Sequence, residues 1–130
     1  MRSNAREAAF KIVFAELFCE EQSRGFAASI YRGAKLTEEE KAFADRLVDC
    51  VRAHREEFLS EIAERVTRYA DYRIYAADRA IMLVALAEIK FFEDIPPIVS
   101  VSEAANLARK YSTERSSDFV NGVLGGIINE

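Results

Sequence analysis

The sequence predicts an all-α fold, a compact bundle of about seven helices, and three observations carry that prediction. Apolar residues recur at a period near 3.6 along most of the chain. Two Ser/Thr-x-x-Glu stretches, Thr37 to Glu40 and Ser100 to Glu103, read as capping boxes that open helices. The one strand candidate, Ile98 to Val101, is short and runs straight into the second capping signal.

The first helix is expected over residues 5–18, where Ala5, Ala9, Ile12, Val13 and Leu17 keep helical spacing. Phe10, Phe14 and Phe18 repeat every four residues on an adjoining stripe. Ser3 or Asn4 is the expected cap, since either side chain can accept from the first unpaired amides. A loop around Gly25 precedes a patch of one or two helical turns, Phe26 to Tyr31, ended by Gly33. After Thr37 the pattern gives two helices, 38–53 and 56–69, separated by a charge-dense break at His54 to Glu57. Residues 76–91 are apolar on nearly every face after Arg79, which a helix tolerates only when other helices surround it. Ile95-Pro96-Pro97 stops this central helix, because proline disfavours helical geometry in the residue before it. The second box opens a helix from Ser100 to about Tyr111. A break at Ser112-Thr113 starts the last one, which carries Phe119, Val123 and Ile127.

The 130 residues are one domain's worth of chain, and 50% hydrophobic with 31% charged residues fits a globular protein. Residues 1–130 are expected to form a single domain, without internal repeat or linker. The most apolar stretch, residues 80–89, is half of what a bilayer crossing needs, and the N-terminus lacks a secretory signal pattern. A cytoplasmic protein with no membrane contact is the expectation. Cys19 and Cys50 lie on apolar segments without CxxC spacing and read as free thiols. A single histidine, His54, leaves too few ligands for a zinc site and argues against histidine-based catalysis, so no enzyme, no metal and no cofactor are expected.

A net charge of −4 argues against coating nucleic acid by bulk charge, so any such contact must be local. Two stretches are locally basic: Arg2, Arg6 and Lys11 against Glu7 alone, and Arg109, Lys110 and Arg115 against Glu114 alone. Cations bind phosphate oxygens, and aromatic faces between them stack unpaired bases, which makes Phe14 and Phe119 candidates. The bland alternative is that the charges are solvated and the rings are core. Gly122 to Gly125 fits a GxxG pattern but lacks the flanking strands of a backbone clamp, so close packing or helix termination is the better reading. On the central helix, Asp78 and Arg79 lie near the start, where an aspartate complements the positive end of the helix dipole. Glu88 either pairs internally or marks a surface that a partner covers.

The stretch IPPIVSVSEAANLARKYSTERSSDFVNGVLGGI, residues 95–127, closely resembles the C-terminal signature of the NusB family of bacterial transcription antitermination factors. Ala-Arg-Glu at 5–7 and Asp-Arg-Ala-Ile at 78–81 stand in the family's order and spacing. The resemblance implies two packed helical subdomains and a non-enzymatic adaptor. It further implies binding of the boxA element of ribosomal RNA operon transcripts together with NusE, a ribosomal protein of the small subunit, which acts on the RNA polymerase elongation complex indirectly. By position, Arg2 and Arg6 fall in the family's arginine-rich motif, Phe14 lies near the RNA, and Arg115 and Phe119 lie on a second RNA-facing segment. With Lys11 and Lys110 from the charge pattern, these are the candidate RNA-binding residues, and a partly exposed Phe119 ring is expected. Asp78, Arg79 and Glu88 are the candidate partner-binding residues. Ser3 and Asn4 dilute the basic cluster that family members carry, and Leu83 and Ala87 replace their usual arginine and tyrosine. The alternative readings are a stand-alone relative of the NusB-like domain that precedes the catalytic domain of ribosomal RNA cytosine methyltransferases, and a dimerisation module.

Overall fold

The computed structural model describes residues 2–18, 26–68 and 74–129. They form six helices: α1 (Arg2–Phe18), α2 (Phe26–Ala34), α3 (Glu38–Val66), α4 (Ala76–Phe91), α5 (Pro97–Tyr111) and α6 (Glu114–Ile128), with no strand among the described residues. The central-helix expectation holds at both ends. From Ala80 to Glu88 every residue of α4 is buried, and α1, α3, α5 and α6 all pack against it. A helix without a wet face is stable only in that position. One continuous core results, running from Ala5, Ala9 and Ile12 of α1 through Leu83 and Leu86 of α4 to Val120 and Leu124 of α6.

The difference between six helices and about seven lies in α3. Its 29 residues run on across His54, whose φ of −121° and ψ of 15° depart from helical values. The charge-dense break is therefore a kink inside one helix. It carries the His54 ring onto Phe91, with centroids 4.4 Å apart, while Phe58 and Ile62 beyond it return to the core. The α3 start is as expected: Thr37 Oγ1 accepts from the Glu40 amide and Glu40 Oε1 accepts from the Thr37 amide, both at 3.1 Å. At the other end α3 stops at Val66, and Tyr69 lies outside the described residues.

Three other helix starts and ends differ from the sequence pattern. Ser3 and Asn4 do not cap α1, which already begins at Arg2; instead the Ser3 hydroxyl donates to Glu103 at 2.9 Å. The Ser100 box does not open α5. That helix begins at Pro97, where the missing N–H of proline is one the first turn leaves unpaired anyway. Ser100 is consequently buried inside the helix, and Glu103 turns to α1. α2 runs past Gly33 to Ala34 and is ended by Lys35, at φ 53°. The last start is as expected, with Thr113 accepting from the Ser116 amide at 2.9 Å. The glycines at 122, 125 and 126 lie within α6, and a Cβ at Gly126 would stand 2.9 Å from the Arg65 guanidinium, so this glycine admits the end of α3. Among the described residues no helix is long and apolar enough to cross a membrane. Cys50 is a half-buried free thiol, and Cys19 lies outside the described residues.

Left-handed backbone at a residue with a Cβ costs about 1–3 kcal/mol, and glycine removes most of that while adding unfolded-state entropy. Lys35→Gly is therefore expected to stabilise the fold by about 1 kcal/mol, seen as a higher urea midpoint at unchanged slope. An unchanged or lower midpoint would show that the Lys35 conformation carries no strain.

Candidate nucleic-acid interface

α1 turns two different kinds of polar residue in two directions. On its inner side Arg6 is 5% exposed and lies against Glu88 of α4, itself 1% exposed. Arg6 Nε donates to Glu88 Oε1 and Oε2 at 3.0 and 2.8 Å, and Nη2 donates to Oε1 at 2.6 Å. The remaining nitrogen, Nη1, stands 3.6 Å from Glu103 Oε1 on α5. A forked donor set on a buried carboxylate is the arrangement in which an ion pair is worth its desolvation, because most of its lone pairs are engaged. Arg2, one turn earlier, places its guanidinium over the Phe43 ring at 4.7 Å and reaches Asp94 at 3.4 Å.

On its outer side α1 meets the end of α5. Glu7 accepts from Lys110 Nζ at 2.8 Å and from the Tyr111 hydroxyl. Burial alone would raise the Glu7 carboxyl, but these two hydrogen bonds and the charges of Lys110 and Lys11 outweigh it and hold it below the ordinary glutamate value. Burial, then the Glu7 acceptor, pushes the Tyr111 hydroxyl up. Lys11 Nζ lies 5.8 Å from the Tyr111 ring centre and Lys110 Nζ lies 5.3 Å from it. From Tyr111 a row of rings runs along α1: Phe10 at 5.1 Å, then Phe14 at 5.9 Å, then Phe18 at 5.1 Å. Phe10 is buried, Phe14 is half-buried, and Phe18 stands in solvent.

The structure thus brings Lys11, Phe14 and Lys110 together and leaves other candidates elsewhere. Arg2 is nine residues from Lys11, two and a half helical turns, and so lies on the opposite side of α1. Arg115 is exposed on the first turn of α6. Arg6 is corrected from a phosphate ligand to an internal ion-pair partner, because a guanidinium already bound on both sides of its fork and buried has no edge for RNA. The Phe119 expectation is corrected as well: the ring is 4% exposed, the helical spacing with Val123 having placed it in the core. Of the partner candidates, Asp78 is fully buried and accepts from Ser116 Oγ at 3.1 Å, and Glu88 takes the internal of its two readings. Neither can touch a partner directly, and Arg79 is half-buried. The sequence pattern missed Tyr111 and Phe18. Tyr111 gave no signal as the last residue of a helix, whereas Phe18 was visible as the outermost ring of the phenylalanine stripe.

The described residues define an all-α bundle protein that sets Lys11 of α1 and Lys110 of α5 beside the Tyr111 ring. The model of the NusB family matches residues 3–129. The transcription antitermination protein NusB of Natranaerobius thermophilus is 32% identical over 133 residues, covering 99% of this chain and 95% of that one. Its counterpart from Symbiobacterium thermophilum is 46% identical over 94 residues, which take in 72% of this chain and 61% of that relative's length. A crystal structure of the antitermination factors NusB and NusE in complex with double-stranded RNA superposes with a TM-score of 0.84 at 25% identity, over 97% of this chain and 94% of that one. T. maritima NusB superposes with a TM-score of 0.81 at 30% identity, over all of this chain and 92% of that one. The chain belongs to the NusB family of transcription antitermination proteins, which are regulatory factors and not enzymes.

Two outcomes follow from the two sides of α1. Glu88→Ala removes the forked hydrogen bonds and leaves the buried Arg6 with only the 3.6 Å contact to Glu103, which is expected to cost about 3–5 kcal/mol. The double change Arg6→Met with Glu88→Leu should recover most of that loss in chemical denaturation, and no recovery would mean that the pair does more than neutralise itself. On the outer side, the stability that Glu7 contributes is present above its unfolded pKa and is lost as pH falls through its lowered folded value. Glu7→Gln should therefore flatten the acid limb of stability against pH below the usual glutamate range; an unchanged acid limb would show that the Lys110 and Tyr111 contacts are not maintained in solution.

Proposed function

We propose that the protein binds boxA-type single-stranded RNA of ribosomal RNA operons together with the small-subunit ribosomal protein NusE, and thereby acts indirectly on the RNA polymerase elongation complex in the cytoplasm. The observation that carries this reading is the outer face of α1. Lys11, which makes no ion pair among the described residues, stands beside Phe14 and the Tyr111 ring with Lys110 next to it. Lysine ammoniums offer phosphate contacts that ignore sequence, and open aromatic faces offer stacking that a duplex, with its bases already stacked, cannot use. The solved relative carries NusE and RNA, there in duplex form, which supports RNA and NusE as ligands of this fold, while the single-stranded form rests on the aromatic faces of this chain. Arg2, on the opposite side of α1, and Arg115, on the first turn of α6, are further phosphate candidates away from this face, and the half-buried Arg79 is the partner-facing candidate that is not fully buried.

The test is affinity for a boxA strand against a scrambled strand and a duplex of the same sequence, each with and without NusE. Preference for the single boxA strand that is strengthened by NusE supports the adaptor. Absence of preference in every arm favours a dimerisation module. Arg2, Lys11, Lys110 and Arg115 can neutralise about two to four phosphates, so the log–log salt slope should be roughly −1.5 to −3. Lys11→Ala should weaken every RNA alike and reduce that slope by about 0.7. A flat salt response would remove RNA from the account.

A further inference from the structure

We infer that Phe18 is the terminal stacking platform of this surface, taking one unpaired RNA base beyond the base at Phe14; the inference rests on the RNA-binding reading above. Phe18 is 68% exposed at the last residue of α1, and its described ring contact is an edge-on one to Phe14, at 5.1 Å and 69°. A single exposed apolar side chain means little by itself. Phe18 differs from Phe91, Ile98 and Val99, which are also exposed, in what stands beside it. Lys11, Phe14 and Phe18 are spaced i, i+3 and i+7 and therefore share one stripe of α1. Phe91, in contrast, is stacked against the His54 ring, and its neighbour Lys90 is paired with Glu61 at 2.9 Å. Ile98 and Val99 offer no π-face and carry no flanking cation in the first turn of α5.

The geometry also specifies the form of the ligand. The two rings meet edge to face, so their open faces point in different directions and cannot both be covered by two bases that remain stacked on each other. A strand bound here must open between the two nucleotides, with Lys11 holding the backbone on the same stripe. That selects an unpaired, extended segment and rejects a duplex at this position.

The experiment titrates the full-length protein into boxA-type single strands that carry 2-aminopurine at successive positions, using wild type, Phe18→Ala and Phe18→Tyr. Phe18→Ala should leave helical circular dichroism unchanged, because the ring is outside the core. One strand position should change its fluorescence on binding to wild type and to Phe18→Tyr but not to Phe18→Ala, and Phe18→Ala should lower affinity by roughly 5- to 150-fold. A strand truncated before that position should bind wild type and Phe18→Ala equally. If wild type binds RNA and Phe18→Ala reproduces its affinity and its fluorescence profile, the stacking platform is overturned while the RNA-binding reading stands. If wild type binds no RNA with or without NusE, the underlying reading fails instead. If Phe18→Ala loses NusE or self-association while its RNA affinity is unchanged, the ring serves a protein contact and the inference is overturned.

Discussion

The seating of α1 on the core turns on the buried ion pair between Arg6 and Glu88. α4 is surrounded by four other helices and is buried without a break from Ala80 to Glu88, so the Glu88 carboxylate, although in its last turn, has no route to water. It is tolerable only where a cation is delivered to it with hydrogen bonds, and Arg6 makes that delivery from α1. The contact fixes α1 against α4 in both rotation and register, since a shift of one residue would withdraw the guanidinium. Glu103 and Ser3 bind the same corner together, which adds α5 to the joint. With the inner face of α1 set in this way, its outer stripe of Lys11, Phe14 and Phe18 is set as well. The buried pair therefore determines which side chains are left to meet a ligand.

This arrangement explains which parts of the molecule were legible in the sequence. α4 was legible because a run without a polar face permits one location only. The Thr37 box was legible because cap and carboxylate are local partners three residues apart. The Ser100 box has the same spelling and failed, because Pro97 supplied an earlier start and Glu103 had a partner 100 residues away in Ser3. Capping signals state what a short segment can do, and a long-range partner decides whether it does so. His54 shows the intermediate case. A charge-dense interruption was visible, but whether a helix breaks or bends there depends on what the bent side chain meets, and the ring it meets is Phe91.

The candidate site divided along the same line. Arg2, Arg6 and Lys11 looked equivalent as members of one basic stretch, and yet one packs on Phe43, one is buried on Glu88 and one is presented to solvent. Sequence spacing gives the direction in which a residue leaves its helix. It does not give the charge of the helix it will meet. Phe119 failed for a related reason: its ring lies on the same face as Val123 and Ile127, and that local periodicity was the stronger signal. The resemblance to a family named candidate residues, whereas burial decides which of them can reach a ligand.

The distribution of charge over α1 has a consequence for how such a surface works in a chain of net charge −4. Lys110 is already engaged by Glu7, so a phosphate that takes Lys110 must compete with a carboxylate whose own hydrogen bonds favour its ionised form. The Glu7 charge is then left with Tyr111 and with Lys11 nearby. Little net attraction remains for a bare polyanion, and binding energy has to come from stacking and from a second protein. On the proposed reading, the contribution that ignores sequence is the one this surface's own carboxylate reduces, which leaves contacts to bases and to a second protein to decide what binds. The weak net charge is thus consistent with a selective adaptor, since strong bulk attraction would hold every RNA alike.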